Sequence, residues 1–350
     1  MNLAYAAVAA CVVLAACVDG PTSTSDVASA LQSSRSLVPL DRFGIGQGGR
    51  GNACRAPEYR QFDFWAGHWD IQTPTGAPAG VSIISSVLGG CAVLENYFGG
   101  AGRSLNAYDD ATGAWNQFYV SSGGGVSLLR GGFRSDSMIL EERRGPTVND
   151  VWTWTTLPNG SVKQHEQLFI GGNPPIGFVG IYVARPTPPV APAPPVTACA
   201  RPQSRQMDFL VGRWDVYEGA GKGEGAAQGT LVVTTGAGGC LLEESISGHA
   251  GFEGLSYAAY HPQFQRWYRT YMDTDGRYIR LNGVFDGTRM VMTGNRAAAN
   301  GALVVVRVTW EPTAPGRVTQ RWEFSVDEGA TFDAQQAYTF VKRKQPERGT

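Results

Sequence analysis

The segment FDFWAGHWDI (62–71) returns later in the chain as MDFLVGRWDV (207–216). Each copy follows a cysteine by eight residues, Cys54 in the first case and Cys199 in the second, so the offset between the copies is 145 residues. The repeats of solenoid proteins are much shorter, roughly 20–50 residues. A repeat of this length therefore predicts the duplication of a whole domain.

The duplication continues downstream of this signature. The motif GGC ends at Cys91 in the first copy and at Cys240 in the second, and the tract 104–133 aligns without gaps to 256–285. Three aromatic positions recur within that tract: Tyr108 with Tyr260, Trp115 with Trp267, and Tyr119 with Tyr271. These positions predict the same scaffold in both halves of the chain.

Composition limits the class of protein. The chain has 350 residues, a formal net charge of −1, 43% hydrophobic and 17% charged residues, and 46 glycines. At ~150 residues per domain, this length fits two domains with additional segments. The charge lacks the basic excess that is typical of nucleic-acid binding, so we expect no nucleic-acid partner.

The N-terminus has the pattern of an export signal. The apolar run AYAAVAACVVLAA (4–16) is shorter than the ~20 residues that span a bilayer and is typical of a signal-peptide core, although no lysine or arginine precedes it. LAAC (14–17) resembles the bacterial lipobox. This resemblance implies cleavage before Cys17, lipidation of that cysteine and, because Val18 follows, sorting to the outer membrane. The alternative is a buried N-terminal helix with an incidental cysteine.

The chain divides into six predicted segments: a lipoprotein-type signal peptide (1–17), a flexible tether (18–50), the first repeat (51–185), a proline-rich linker (186–198), the second repeat (199–344) and a tail (345–350). Proline favours polyproline II, which extends ~3.1 Å per residue. The linker therefore either holds the repeats apart or lies along one of them.

Four cysteines occupy matching positions in the two repeats. In an exported protein this pattern predicts one disulfide per repeat, Cys54 with Cys91 and Cys199 with Cys240. The competing interpretation is a metal site, but the sequence has no C-x-x-C motif and no nearby histidine pair. Each bridge would close a loop of about 40 residues and contribute roughly 3–4 kcal/mol to stability.

Both repeats have the pattern of short β-strands. Apolar and polar residues alternate in segments bounded by glycine and turn residues. The predicted strand segments are 81–98, 115–122, 137–144, 151–157 and 178–185, then 230–236, 266–273, 278–285, 289–294, 303–310, 318–326 and 337–344. Asp286–Gly287 is a strong hairpin signal. Eight to ten strands per repeat predict an all-β fold with two tandem antiparallel barrels.

The ends of each repeat resemble the calycin pattern of lipocalins and fatty-acid-binding proteins. A Gly-x-Trp motif opens each repeat at Trp69 and Trp214, and an apolar strand closed by arginine ends it at Arg185 and Arg343. The resemblance implies that each tryptophan plugs the closed end of a barrel and that the arginine packs across its ring, where cation–π attraction stabilises the pair.

A second resemblance covers nearly all of both repeats. FDFWAGHWD, the turn YDDATGAW (108–115) and the strand VRVTW (306–310) are similar to a bacterial domain family of unknown function. Its signature is FDF-x-x-G-x-W-D, followed by a Y-D-x-x-T-G-x-W turn. The second copy has YHPQFQRW (260–267) at that turn and lacks its aspartates and glycine. This resemblance implies a calycin-like barrel with a cavity, and it implies no activity.

Two glutamates stand at the same register after the GGC motif, Glu95 and Glu244. Glutamate is rarely buried, which favours the outer face of the barrel for both. If they point inward, each needs a partner, such as Arg130 or Arg269, or a ligand, because an unpaired buried charge costs several kcal/mol.

Four aromatic residues are candidates for the wall of a cavity: Tyr119 and Trp154 in the first repeat, and Tyr271 and Trp310 in the second. Rings of this kind also fill cores, so they either line a cavity or occupy it. Together with the two glutamates they form the predicted ligand site.

The leading hypothesis for function, by analogy of fold, is a lipid-anchored module of the periplasm that binds a small, mainly apolar ligand in a barrel cavity. One alternative is a hydratase, isomerase or hydrolase that uses Glu95 or Glu244 as acid or base. Another is a ligand-free structural protein of the cell envelope. The four histidines show no metal-ligand spacing and no catalytic triad is marked, so we predict no metal, cofactor or assigned catalytic residue.

Overall fold

The structure is a computed structural model that describes residues 53–98, 102–190, 199–297 and 303–343. Several predicted segments lie outside these ranges: the signal peptide with Cys17, the tether 18–50, linker residues 191–198 and the tail 345–350. Within the described ranges, no helix is both long enough and apolar enough to cross a bilayer.

The first repeat is a closed barrel of ten antiparallel strands. Its strands are β1 (Gly67–Gln72), β2 (Pro78–Val87), β3 (Ala92–Tyr97), β4 (Gly102–Asp109), β5 (Ala114–Val120), β6 (Val126–Arg134), β7 (Ser137–Arg143), β8 (Val148–Thr156), β9 (Val162–Ile170) and β10 (Val179–Ala184). Each strand pairs with the next in the chain, and β10 returns to β1, where Ala184 lies opposite Trp69.

The second repeat forms the same barrel. Its strands are β11 (Gly212–Glu218), β12 (Gly229–Gly236), β13 (Leu241–Gly248), β14 (Glu253–His261), β15 (Arg266–Asp273), β16 (Tyr278–Phe285), β17 (Met290–Ala297), β18 (Leu303–Ala314), β19 (Arg317–Ser325) and β20 (Asp333–Lys342). β20 closes the barrel on β11, with Lys342 opposite Trp214. The prediction of two tandem antiparallel barrels is confirmed.

The repeated signature closes one end of each barrel. In the first, the 3-10 helices Pro57–Arg60 and Asp63–Trp65 precede β1, and the fully buried rings of Phe62 and Trp65 stack 4.9 Å apart. The indole of Trp69 donates a hydrogen bond to the Trp65 carbonyl oxygen (2.9 Å). Gly67 has φ +153°, and a Cβ there would lie 3.3 Å from the Trp69 ring, so the motif requires glycine.

The closing arginines bind acids. Nη1 of Arg185 lies 2.9 Å from Oδ1 of Asp70, and Nε of Arg343 donates to Oδ1 of Asp215 (2.7 Å). The cation over the ring of Trp214 is Lys342, whose Nζ lies 5.3 Å from the ring centre. The expectation that Arg343 covers this indole was wrong, because the neighbouring carboxylate is its partner.

The predicted disulfides Cys54–Cys91 and Cys199–Cys240 both form. They lie where the barrels pack on each other, in a hydrophobic cluster that both barrels share. A Cβ at Gly276 would lie 3.5 Å from Sγ of Cys54, and one at the matching Gly124 would lie 3.1 Å from Sγ of Cys199. The same faces therefore meet from both sides, as in an isologous interface.

Polar contacts join the barrels around this cluster. Nε of Arg103 lies 3.1 Å from Oε1 of Glu243, and Nη2 of Arg280 donates to the carbonyl oxygen of Leu129 (3.3 Å). The barrels are thus in direct contact, so the alternative in which the linker holds them apart is wrong.

Candidate functional site

The first barrel contains a cavity of about 160 Å³. Its lining residues are Glu95, Tyr97, Gln117, Tyr119, Ser127, Leu129, Trp152, Gln164, Phe178 and Tyr182. Tyr97 ends β3 and Phe178 directly precedes β10, so the cavity reaches the end of the barrel opposite the 3-10 helices. Alternation along each strand brings these side chains to the inside.

Glu95 is the only acidic residue among those lining residues, and it is 4% exposed. Oγ of Ser104, opposite it on β4, donates to Oε2 of Glu95 (3.0 Å). Nδ2 of Asn106 donates to that serine oxygen (2.9 Å), and Nε2 of Gln117 donates to Oδ1 of Asn106 (2.7 Å). A chain of side-chain hydrogen bonds across β3, β4 and β5 therefore fixes the position of the carboxyl group.

Burial raises the pKa of the Glu95 carboxyl to about 7, and hydrogen bonds with Ser104 and Tyr182 offset only part of this effect. Within the described residues, no arginine or lysine forms an ion pair with Glu95. The proposed partner Arg130 is exposed on the outer face. The outward position favoured for this glutamate was therefore wrong, because hydroxyl groups inside the barrel accommodate it.

Two tyrosines stand beside this carboxyl group. Burial, and then the charge of Glu95, raises the pKa of the phenols of Tyr119 and Tyr182, so both remain neutral hydrogen-bonding groups. The hydroxyl of Tyr182 donates to Oε1 of Gln164. The site therefore presents one ionisable carboxyl among neutral hydroxyl, amide and aromatic groups.

The matching glutamate of the second barrel has a cation. Nη2 and Nε of Arg269 donate to the two carboxylate oxygens of Glu244 (2.8 and 3.3 Å), and both side chains are buried. The guanidinium carbon lies 5.5 Å from the ring centre of Tyr271 and 5.1 Å from that of Trp310. Glu244 also points inward, against the favoured prediction, and Arg269 is the partner named for that case.

The cavity beside Glu244 in the second barrel is much smaller, about 30 Å³. Strand pairing shows the cause. In the second barrel Tyr338 lies opposite Gln320. At the equivalent pair of the first barrel, Gly180 lies opposite Gln164. In the second barrel Trp322 lies opposite Val308, and at the equivalent pair of the first barrel Glu166 lies opposite Trp152. The second barrel thus has rings at Tyr338 and Trp322 where the first has Gly180 and Glu166, whereas the first has the ring of Trp152 where the second has Val308.

The structure separates the predicted aromatic residues. Tyr119 lines the first cavity and Tyr271 lines the second. Trp154 and Trp310 are completely buried. Trp154 packs against Phe62 of the signature that closes the barrel (5.3 Å between ring centres), so it belongs to the core. The assignment of these four aromatic residues to a ligand site stays a prediction.

Sequence reasoning missed several polar residues of the cavity. They are Tyr97, Gln117, Gln164 and Tyr182. One signal was present, because Gln117 aligns with Arg269 in the ungapped tract. A glutamine in place of the arginine that pairs with a glutamate indicates a missing cation.

The pKa of Glu95 predicts a pH-dependent stability. Between about pH 4.5 and pH 7 the folded protein keeps a proton on Glu95 that the unfolded chain has released, so the free energy of unfolding should fall as the pH rises. For a buried carboxyl the loss is about 3 kcal/mol. Urea unfolding of the wild type and of Glu95→Gln at pH 5 and pH 8 checks this, since the variant should lack that loss.

A matched control is Glu253→Gln, which changes an exposed glutamate on β14 and should keep the wild-type pH dependence. Equal pH dependence in the wild type and in Glu95→Gln would contradict the assignment of this effect to Glu95.

Fold and cavities together define a tandem β-barrel protein whose first barrel has the larger cavity, about 160 Å³ against about 30 Å³ in the second. No model of a known protein family matches the sequence, and no curated protein matches it. Among solved structures, it is similar to a crystal structure of a protein with unknown function from the DUF3598 family of Nostoc punctiforme. The identity is 12%, the match covers 82% of this chain and 99% of that chain, and the TM-score is 0.24. The family with the FDF-x-x-G-x-W-D signature stays a prediction.

Proposed function

We propose that the first barrel binds a small, mainly apolar molecule and that the second barrel supports it structurally. The observation that carries this proposal is the difference in interior volume, about 160 Å³ against about 30 Å³ in two copies of one scaffold. A cavity of about 150 Å³ holds a molecule of the size of benzene. The ligand is therefore about one ring in size, with room for one polar substituent near Glu95.

The lining supports specific binding. Aromatic and aliphatic side chains with a few fixed polar groups are the usual composition of a small-molecule site. The hydrogen-bond chain that ends at Glu95 holds its carboxyl group in place before a ligand arrives. Such preorganisation lowers the entropy lost on binding. Acid–base chemistry by Glu244 is disfavoured, since Arg269 occupies both of its oxygens.

The test fills the cavity of the first barrel with the side chain that stands at the equivalent position of the second barrel. Glu166→Trp copies Trp322 and should remove any small molecule that co-purifies with the wild-type protein, because the indole occupies the ligand volume. Native mass spectrometry of protein purified from its own host measures the bound mass.

The matched control is Ile170→Trp, at an exposed position of the same strand, which should keep the ligand. If the wild-type protein carries no small molecule and none of a fragment library binds it, the binding proposal fails and a ligand-free structural role follows.

We further propose that the chain is exported and anchored in the outer membrane through Cys17. The two disulfides support an oxidising compartment outside the cytoplasm. Cys17→Ala should move the protein from the membrane fraction to the soluble periplasmic fraction, or leave its signal peptide uncleaved. Intact mass of the wild-type protein should show a chain that starts at Cys17 and carries acyl groups. An unmodified Cys17 in that mass contradicts the anchor.

A further inference from the structure

We propose that the ligand of the first barrel is a small organic cation, an ammonium or guanidinium group on an apolar body, which pairs with Glu95. This inference rests on the proposed binding function and names the chemical class of its ligand. It follows from a comparison of the two barrels. In the second barrel Arg269 pairs with Glu244, and in the first barrel Gln117 stands at the position of that arginine.

The two sites share a glutamate as hydrogen-bond acceptor and a tyrosine ring near it. Glu95 lies opposite Ser104 as Glu244 lies opposite Ser256, and Tyr119 matches Tyr271 in the aligned tract. In the second barrel this arrangement surrounds a guanidinium group that binds the carboxylate and lies against an aromatic ring. The geometry of the site is therefore suited to an organic cation.

Two substitutions remove that cation from the first barrel. Gln117 replaces Arg269, and Asn106 replaces Ala258, the neighbour directly opposite on the adjoining strand. Gln117 is shorter than arginine and bonds Asn106, so its amide is held away from the carboxyl group. Among the described residues, this leaves a buried glutamate beside the cavity with aromatic neighbours and no cationic partner.

The groups around Glu95 also favour a cation over other ligands. Around it lie the hydroxyl groups of Tyr97 on the same strand, Ser104 on β4, Tyr119 on β5 and Tyr182 on β10. The next carboxyl is that of Glu166 beside Tyr119. None of these groups is positive, so an anion would be repelled once Glu95 ionises. A cation gains a charge-assisted hydrogen bond and the attraction of the rings.

Isothermal titration calorimetry at pH 8 tests this with four probes: benzylammonium, methylguanidinium, benzyl alcohol and benzoate. At least one cation should bind the wild-type protein about 10-fold or more tightly than benzyl alcohol, because a charge-assisted hydrogen bond is stronger than a neutral one. Benzoate should not bind. Cation affinity should fall about 10-fold between pH 8 and pH 6, as Glu95 takes up a proton.

Two variants give the test its controls. Glu95→Gln should lose the preference for cations, so that its affinity for the two cations falls to its affinity for benzyl alcohol. Asn106→Ala/Gln117→Arg copies the second barrel and should bind none of the probes, since its own guanidinium occupies the site. Circular dichroism checks that both remain folded, and Glu95→Gln decides the question if the double variant does not fold.

Equal binding of benzyl alcohol and the cations, or cation binding that Glu95→Gln leaves unchanged, overturns the proposal. So does the absence of probe binding by a protein that still carries a small molecule removed by Glu166→Trp, and in that case the binding function itself stands. If neither the probes nor any molecule from the host is bound, the binding function fails as well.

Discussion

Loss of both disulfides should lower the free energy of unfolding by about 6–8 kcal/mol, which approaches the whole stability of many domains. The bridges close loops with sequence separations of 37 and 41 residues. A bridge that closes a loop of this size restricts the unfolded chain, so its loss should lower the free energy of unfolding by about 3–4 kcal/mol. Urea unfolding of Cys54→Ser/Cys91→Ser, of Cys199→Ser/Cys240→Ser and of the quadruple variant measures each contribution.

The location of the bridges adds to this effect. The four cysteines belong to the apolar cluster between the barrels. Reduction therefore affects the segments 54–91 and 199–240 that the bridges close, and also the interface between the barrels. We therefore expect each double variant to destabilise the other barrel too. Hydrogen exchange on strands of the intact barrel reports this coupling.

The control for these substitutions is reduction of the wild-type protein with dithiothreitol under denaturing conditions, which should reproduce the stability of the quadruple variant. A loss below about 1 kcal/mol in either double variant would show that the loops are already restricted in the unfolded state.

Local chemistry made much of the fold predictable. Asp286–Gly287 forms the turn between β16 and β17 as expected, because the carboxylate of Asp286 accepts the backbone N–H groups of Thr288 and Arg289 and Gly287 supplies a positive φ of 104°. The disulfides followed from four cysteines at matching positions in the two repeats. Each of these features depends on few residues that are close in sequence or repeated.

Features that depend on packing between distant strands were not predictable in this way. The inward position of Glu95 depends on hydroxyl groups from β4 and β10, which are far apart in the chain. Strand β9 was missed because its sequence VKQHEQLFI carries polar residues on both faces. Its inner Gln164 lines the cavity, so a polar side chain on the inner face obscures the alternating pattern there.

Replacing Arg269 by glutamine should destabilise the protein by about 3–5 kcal/mol, because the change leaves the Glu244 carboxylate buried without its cation. The variant also loses the contacts of the guanidinium with Tyr271 and Trp310. Arg266→Gln is the matched control on the same strand. Arg266 is exposed and bonds only Asn282 among the described residues, so its loss should cost less than about 0.5 kcal/mol.

A double-mutant cycle separates the buried charge from the lost packing. Glu244→Gln/Arg269→Gln removes both charges and should recover most of the stability, since two neutral amides bury no unpaired charge. The same cycle bears on the first barrel, where Gln117 already stands in place of the arginine while Glu95 keeps its carboxyl group. If Arg269→Gln is as stable as the wild type, a barrel of this kind tolerates a lone buried glutamate without a cation. Glu95 would then need no cationic ligand for stability, and the affinities of the four probes would have to carry the cation proposal alone.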